Sequence, residues 1–222
     1  MGTLPPDSES FDSDLCLRMG LILSSKRVKE SPMVLSWLSS SLERSVLQNE
    51  KLIGSFEIKD SATVFHGRSP PDISVRQYLD RIFKYSGCSP SCFVVAQIYM
   101  DRFLQLARVH LTSLNVHRLL ITSVMLAAKV LDDRYFNNAY YARVGGVSTR
   151  ELNRLEMKLL FTLDFKLQVK PQTFHVYCCQ LEKETSGEGF QIEWPIQQAC
   201  RAKEETWPKR RPESACPQTT AR

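Results

Sequence analysis

The stretch from Asn115 to Asp133 constrains this chain more than any other. Leu119, Thr122, Ser123, Leu126, Ala127 and Val130 recur at steps of three and four residues, the period of an α-helix. Leu120, Ile121, Val124 and Met125 put apolar groups on the remaining faces. A helix that is apolar nearly all round has to be enclosed by other elements. Ser123, Ala127 and Ala128 are small enough to let neighbouring backbones approach closely. Lys129 sits at the end of this helix, and a lysine is seldom buried without a partner. Either its stem lies along apolar surface with the amine in water, or the amine meets a carboxylate, on this chain or another.

The elements that enclose it are legible in order. Ser74 and Gln77 form the S-x-x-Q pattern of a capping box, followed by Tyr78, Leu79, Ile82 and Phe83. Ser89-Pro90 opens a second helix, with Phe93, Val94, Ala96, Ile98, Met100, Phe103, Leu104 and Ala107. The central helix follows. Tyr135 to Tyr141 reads as a short fourth helix stopped by Gly145-Gly146. Ser148 with Glu151 is a second capping box, and it opens a fifth helix striped by Leu152, Leu155, Leu159 and Leu163, widened by Leu160 and Phe161. Sustained alternation and hairpin turn pairs are missing, so the chain is predicted to be all-α, with one helix buried among four others.

Flanking this unit, residues 33–53 carry Val34, Leu35, Leu38, Leu42, Val46 and Leu47 at helical spacing, started by Ser31-Pro32. This amphipathic helix needs a surface to cover. Its pattern dissolves between Gly54 and Asp72, where Pro70-Pro71 closes a linker. Thr173 to Glu184 reads as one more helix, with Phe174, Val176, Tyr177 and Leu181. The expected organisation is a disordered tail over 1–31, the amphipathic helix and linker over 32–71, the helical domain over 72–170, a C-terminal helix over 171–186 and a disordered tail over 187–222.

The chain of 222 residues is 43% hydrophobic, enough for a sizeable core, and its net charge of +5 is too mild to demand a nucleic-acid partner. Seven cysteines, an odd number without zinc-type C-x2-C pairs, read as reduced thiols of the nucleus and/or cytoplasm. The acidic, Ser-rich start is the wrong composition for a secretory signal, and no apolar run approaches the roughly 18 residues of a membrane span. His66, His110, His117 and His175 are scattered without metal-ligand spacing, and neither a Gly-rich phosphate loop nor a Ser/His/Asp arrangement is present. No metal, cofactor, small-molecule ligand or membrane is therefore expected.

Three motifs in order, Tyr99-Met100-Asp101-Arg102-Phe103, then Leu126-Ala127-Ala128-Lys129, then Leu155-Glu156 followed by Leu163-Asp164-Phe165, resemble a cyclin box over about residues 72–170. Ser89-Pro90-Ser91-Cys92-Phe93 and Leu114 to Leu120 are similar to the plant U-type (also called P-type) cyclins, related to the fungal phosphate-signalling cyclins. The resemblance implies a single five-helix box, and a regulatory subunit, not itself an enzyme, that binds and activates a cyclin-dependent serine/threonine kinase in cell-division control. It further implies that Lys129 and Glu156 contact the kinase beside its regulatory C-helix, with Phe165 and Leu167 supplying the apolar part of the interface. The chain departs from cell-cycle cyclins in two respects. Pro71 to Val75 stands where those carry a substrate-docking patch, and too little chain follows Pro171 for a second box.

Read without the resemblance, Lys129 is an ordinary cation at the negative end of a helix, Glu156 a solvated member of an i,i+4 pair, and Phe165 plain core. Asp101 is expected in an internal salt bridge, with Arg76 and Arg81 as possible partners. The competing function is a cyclin-fold adaptor that binds nucleic acid, or a scaffold that holds a kinase without activating it. The nucleic-acid version requires Arg143, Arg150, Arg154 and Lys158 to converge on one face.

Overall fold

The computed structural model describes residues 13–21, 31–55 and 61–185, and every regular element among them is helical. The helices are α1 (Ser13–Met19), α2 (Met33–Gly54), α3 (Val75–Ser86), α4 (Ser91–Ala107), α5 (Val116–Leu131), α6 (Asn138–Gly145), α7 (Thr149–Thr162) and α8 (Pro171–Thr185). The all-α expectation holds among the described residues.

Helix α5 is the centre. From Leu119 to Ala128 no residue is more than 3% exposed, and that run includes Thr122 and Ser123. Helix α4 shares the largest interface with it, and α3, α6 and α7 close around the other sides. Each fully buried Leu, Ile, Val or Met on α5 contributes on the order of 1.5–3 kcal/mol through removal of apolar surface from water. Thr122 Oγ1 donates to the Arg118 carbonyl (2.7 Å), so its hydroxyl is satisfied within the helix.

Local signals set the boundaries. Ser74 Oγ accepts from the Gln77 amide (3.2 Å) and Gln77 Oε1 accepts from the Ser74 amide (3.4 Å), which completes the capping box of α3. Ser148 caps α7 by accepting from the Glu151 amide (3.1 Å), but the Glu151 carboxylate accepts from Arg118 Nε (2.7 Å) and ties α7 to α5. The N-terminus of α4 is fastened by a residue from the far end of α5: the Ser89 amide donates to Asp132 Oδ2 (2.9 Å). Helix α6 starts later than expected. Asn137 caps it by accepting from the Tyr140 amide (3.0 Å), so Tyr135 and Phe136 precede the helix and stand 55% and 45% exposed. Gly146, at φ +70°, ends it.

Gly145 is required for a different reason. A Cβ there would lie 2.8 Å from Ile121 Cγ1, and Tyr78 Oη donates to the Gly145 carbonyl (3.0 Å). The end of α6 therefore sits backbone-close against α3 and α5.

Helix α2 packs on α3, α4 and α8, so the amphipathic helix covers the helical box itself. Its apolar stripe is buried only in the first half: Val34, Leu35, Leu38 and Leu42 are enclosed, whereas Leu47 is 55% exposed. The second half is held by polar contacts instead. Asn49 Nδ2 donates to the Leu111 carbonyl (2.9 Å), and Glu50 accepts from the Ser113 amide (2.8 Å). The expected tail over 1–31 is corrected at Ser13–Met19, where Leu15, Cys16 and Met19 are buried and α1 packs on α2 and α8. Three buried apolar residues are enough to dock this seven-residue helix. The rest of that tail, and the tail over 187–222 with Cys200 and Cys216, lie outside the described residues.

The linker is also more ordered than its composition suggests. Phe65 is fully buried edge-to-face against Phe103 (4.8 Å), and the Gly67 amide donates to the Leu114 carbonyl (2.7 Å). His117 is half-buried between this region and α3. Its Nε2 lies 2.9 Å from the Ile73 carbonyl and its ring packs on Tyr78. Burial, its largest influence, holds His117 below the usual histidine range.

Two outcomes test this packing. Gly145→Ala is expected to destabilise the domain by about 1–3 kcal/mol, seen as a lowered urea midpoint, because the extra methyl overpacks the contact with Ile121. His117 is expected to make stability pH-dependent: its folded pKa lies below its unfolded value, so the unfolded chain binds the proton first. Stability is then full above the ordinary histidine pKa near 6.5 and declines as pH falls through it. Urea midpoints of the parent and His117→Gln at about pH 7.5 and about pH 5.5 should show a smaller acid loss in the variant.

Candidate functional site

Lys129 leaves the enclosed part of α5 on its last turn, and its amine meets a carboxylate of the same chain. Nζ lies 2.6 Å from Glu156 Oε1 and 2.6 Å from Asn138 Oδ1. Asn138 Nδ2 donates to Glu156 Oε2 (2.7 Å) and to Asn153 Oδ1 (2.7 Å). The network joins the end of α5, the start of α6 and the middle of α7. The Lys129 and Glu156 side chains are 24% and 13% exposed, so the pair is mostly but not fully withdrawn from water. An ammonium has a third proton to donate, and each carboxylate oxygen has a second lone pair to offer. The pair can therefore be satisfied within the chain and still present directional polar groups to a partner.

The second part of the site is the turn after α7. Asp164 and Phe165 both adopt left-handed backbone, at φ 52° and 55°. For residues other than glycine this conformation costs roughly 1–2 kcal/mol each. The turn is held from both sides. The Phe165 amide donates to the Leu160 carbonyl (3.0 Å) and the Asp164 amide to the Phe161 carbonyl (3.2 Å), the paired bonds of a Schellman ending. From α4, Tyr99 Oη donates to the Leu167 carbonyl (2.7 Å), and Arg102 Nη1 donates to the carbonyls of Lys166 (3.2 Å) and Gln168 (3.4 Å). Tyr99 is fully enclosed, and burial pushes its phenol up to about 12.

The reward for this strained turn is not core packing. Phe165 is 56% exposed and lies edge-to-face with Phe161 (5.4 Å), itself 65% exposed, while Leu167 is half-buried. Phe161, expected to widen the core stripe of α7, instead faces solvent one turn before Phe165. Met157, Val130 and Leu131, the immediate neighbours of Glu156 and Lys129, are exposed as well. Exposed apolar groups grouped around a structured polar pair have the composition of an interaction surface.

Asp101 accepts from Gln97 Nε2 (3.0 Å). The two arginines suggested for it are engaged elsewhere: Arg76 pairs with Asp80 one turn along α3 (3.0 Å), and Arg81 donates to the Arg143 carbonyl (3.3 Å). Arg102, next to Asp101 in sequence, acts on the Phe165 turn. Of the four basic residues that a nucleic-acid face would gather, Arg150, Arg154 and Lys158 form one exposed row along α7, while Arg143 sits on α6 over the Tyr140 ring (5.6 Å). Among the described residues no group of three or more His, Cys, Asp or Glu could hold a metal ion, and no helix is long and apolar enough to cross a membrane.

Sequence reading alone missed Asn138, Met157 and Phe161. The tandem Asn137-Asn138 carried a signal, since one asparagine suffices for the cap and the second needs another role. The anchoring by Tyr99 yields a test. Tyr99→Phe leaves the Leu167 carbonyl without its donor, and is expected to lower stability by about 0.5–1.5 kcal/mol. Hydrogen exchange should quicken at residues 164–168 well before it does in α5; unchanged exchange in the turn would contradict the anchoring role.

The chain is similar to known proteins along most of its length. A family model described as Cyclin matches residues 23–167. Cyclin-U3-1 of Arabidopsis thaliana is 68% identical over 225 aligned positions, covering 100% of both chains. Cyclin-P3-1 of Oryza sativa subsp. japonica is 56% identical over 200 positions, covering 89% of this chain and 84% of its own. Cyclin-U4-1 of Arabidopsis thaliana is 53% identical over 160 positions, covering 70% of this chain and 79% of its own.

Proposed function

The chain belongs to the cyclin family, among its plant U/P-type members, and from that premise we propose that it binds and activates a cyclin-dependent serine/threonine kinase in the control of cell division. It acts by contact and not by catalysis, in the nucleus and/or cytoplasm. The observation that carries this reading is the pairing of the Lys129–Glu156–Asn138 network with the exposed Phe161–Phe165 turn. A kinase is active when the ion pair between its strand lysine and its C-helix glutamate is in place. A partner that packs on the C-helix stabilises that arrangement and shifts the population toward it. Phe165, Leu167 and Phe161 supply the apolar contact, and Lys129 and Glu156 supply polar groups that fix orientation.

The network changes how the proposal should be tested. Removing Lys129 or Glu156 strands a partner inside this chain as well as at the interface, so their alanine variants report two losses. Phe165→Ala touches little of the core and isolates binding. With purified cyclin-dependent kinases, the parent is expected to bind and raise kinase activity. Phe165→Ala is expected to lose about 1–2 kcal/mol of affinity, roughly tenfold, with the urea midpoint kept. Glu156→Ala is expected to lose more, on the order of 2–5 kcal/mol in binding. Binding of Phe165→Ala equal to the parent would move the interface elsewhere. Binding without activation would make the chain a scaffold. Retention on duplex DNA that weakens with salt, and is lost when Arg150, Arg154 and Lys158 are neutralised, would favour the nucleic-acid adaptor.

A further inference from the structure

Away from the Lys129–Glu156 face, α3 and α6 frame a groove of about 480 Å³ lined by Arg81, Tyr85, Tyr140, Arg143 and Val144. Its chemistry is one-sided. Two of the five lining residues are arginines and none is acidic. Among the described residues neither guanidinium is paired with a carboxylate, whereas Arg76 on the same α3 is paired with Asp80 and Arg118 with Glu151. Lys84 adds a third cation above the Tyr85 ring (5.4 Å).

The groove is also fixed in shape. Tyr140 Oη donates to the Tyr85 carbonyl (2.6 Å), bridging its two walls. Phe136 stacks on the Tyr140 ring (4.0 Å between centroids), and Arg143 lies over the same ring (5.6 Å). Arg81 Nη2 donates to the Arg143 backbone carbonyl (3.3 Å), which brings the two arginines together and leaves most of their N–H groups unengaged. Arginines held against aromatic faces keep their charge while losing little rotamer freedom on binding.

We propose that this groove recognises a phosphorylated side chain of a peptide segment. A phosphate monoester carries about −1.5 to −2 charges near neutral pH, which matches two guanidiniums, and offers three acceptor oxygens for their forked N–H groups. The exposed rings of Tyr85 and Phe136 give the flanking residues of the peptide apolar contact. A nucleic-acid backbone fits less well, because it needs a continued track of phosphate contacts and the groove offers only Arg81 and Arg143, with Lys84 beside them. The site is independent of the kinase reading. Asn138 serves the Lys129 network on one side of α6, while Tyr140 and Arg143 face α3 on another, so both can be occupied at once.

The test uses the full chain without any kinase. A short glycine peptide with one central phosphoserine is titrated and followed by nitrogen-15 NMR at the backbone and arginine Nε–H groups. Saturable shifts are expected at Arg81, Tyr85, Tyr140 and Arg143, with none from the unphosphorylated peptide. The double charge reversal Arg81→Glu/Arg143→Glu is expected to weaken binding at least about tenfold, while Arg150→Glu on α7 leaves it unchanged. Should the double reversal lose the native spectrum, Arg143→Gln decides, because its backbone carbonyl still holds Arg81. Absence of saturable shifts, shifts centred elsewhere, or equal binding by the charge-altered variants would overturn the proposal. Equal affinity for inorganic phosphate, or for the same peptide with glutamate in place of phosphoserine, would overturn it too, by removing the peptide or the phosphate from what is recognised.

Discussion

The enclosure of α5 is the constraint on which the rest of the domain depends. A ten-residue run with almost no solvent contact must be surrounded before it is stable, and four helices of unequal length do the surrounding. That requirement dictates small residues where backbones meet, most sharply at Gly145, where the end of α6 comes within a methyl group of Ile121. It also dictates where polar chemistry can appear. Past the enclosed run of α5 the first residue that carries a charge toward another element is Lys129, at the exit, and its amine is claimed at once by α6 and α7.

The candidate site follows from two devices that stabilise the isolated chain incompletely. The Lys129–Asn138–Glu156 network locks two helix ends to the middle of a third helix while keeping part of each charged group open to solvent. The turn at Asp164 and Phe165 bears two left-handed residues in succession, and α4 reaches across to hold it by three hydrogen bonds to its carbonyls. What that strain secures is an aromatic pair pointing outward. Backbone strain at a position whose side chain is then exposed is characteristic of sites completed by something else. In the cyclin family such a site suits a protein partner, and a kinase surface is the partner proposed for it.

Much of this was legible in the residues. The all-round apolarity of α5, the Ser74–Gln77 and Ser148 caps and the glycine stop of α6 are local signals, and local signals survive into the fold because no tertiary contact competes with them. Lys129 and Glu156 were identified through resemblance, but their mutual contact was not, since nothing in a sequence sets the distance between residues 27 positions apart. The failures share a cause. Phe161 and Leu47 sit in apolar stripes that continue past the surface available to cover them, and periodicity does not say where the covering element ends. Leu15 and Met19, in a polar Ser-rich stretch, erred in the opposite direction, because burial there depends on the edge presented by α2 and α8. The Tyr99 and Arg102 anchors needed the structure for a further reason: their acceptors are backbone carbonyls, which every residue has and no sequence marks.

The most direct single measurement is a hydrogen-exchange footprint of the chain, alone and saturated with a cyclin-dependent kinase that it activates. Protection confined to the end of α5, the middle of α7 and residues 161–168, with the α3–α6 groove left unprotected, is the expected result. Protection centred on the groove or on α2, with the Phe165 turn exchanging as in the free chain, would contradict the assignment of the Lys129–Glu156 face as the kinase-binding surface.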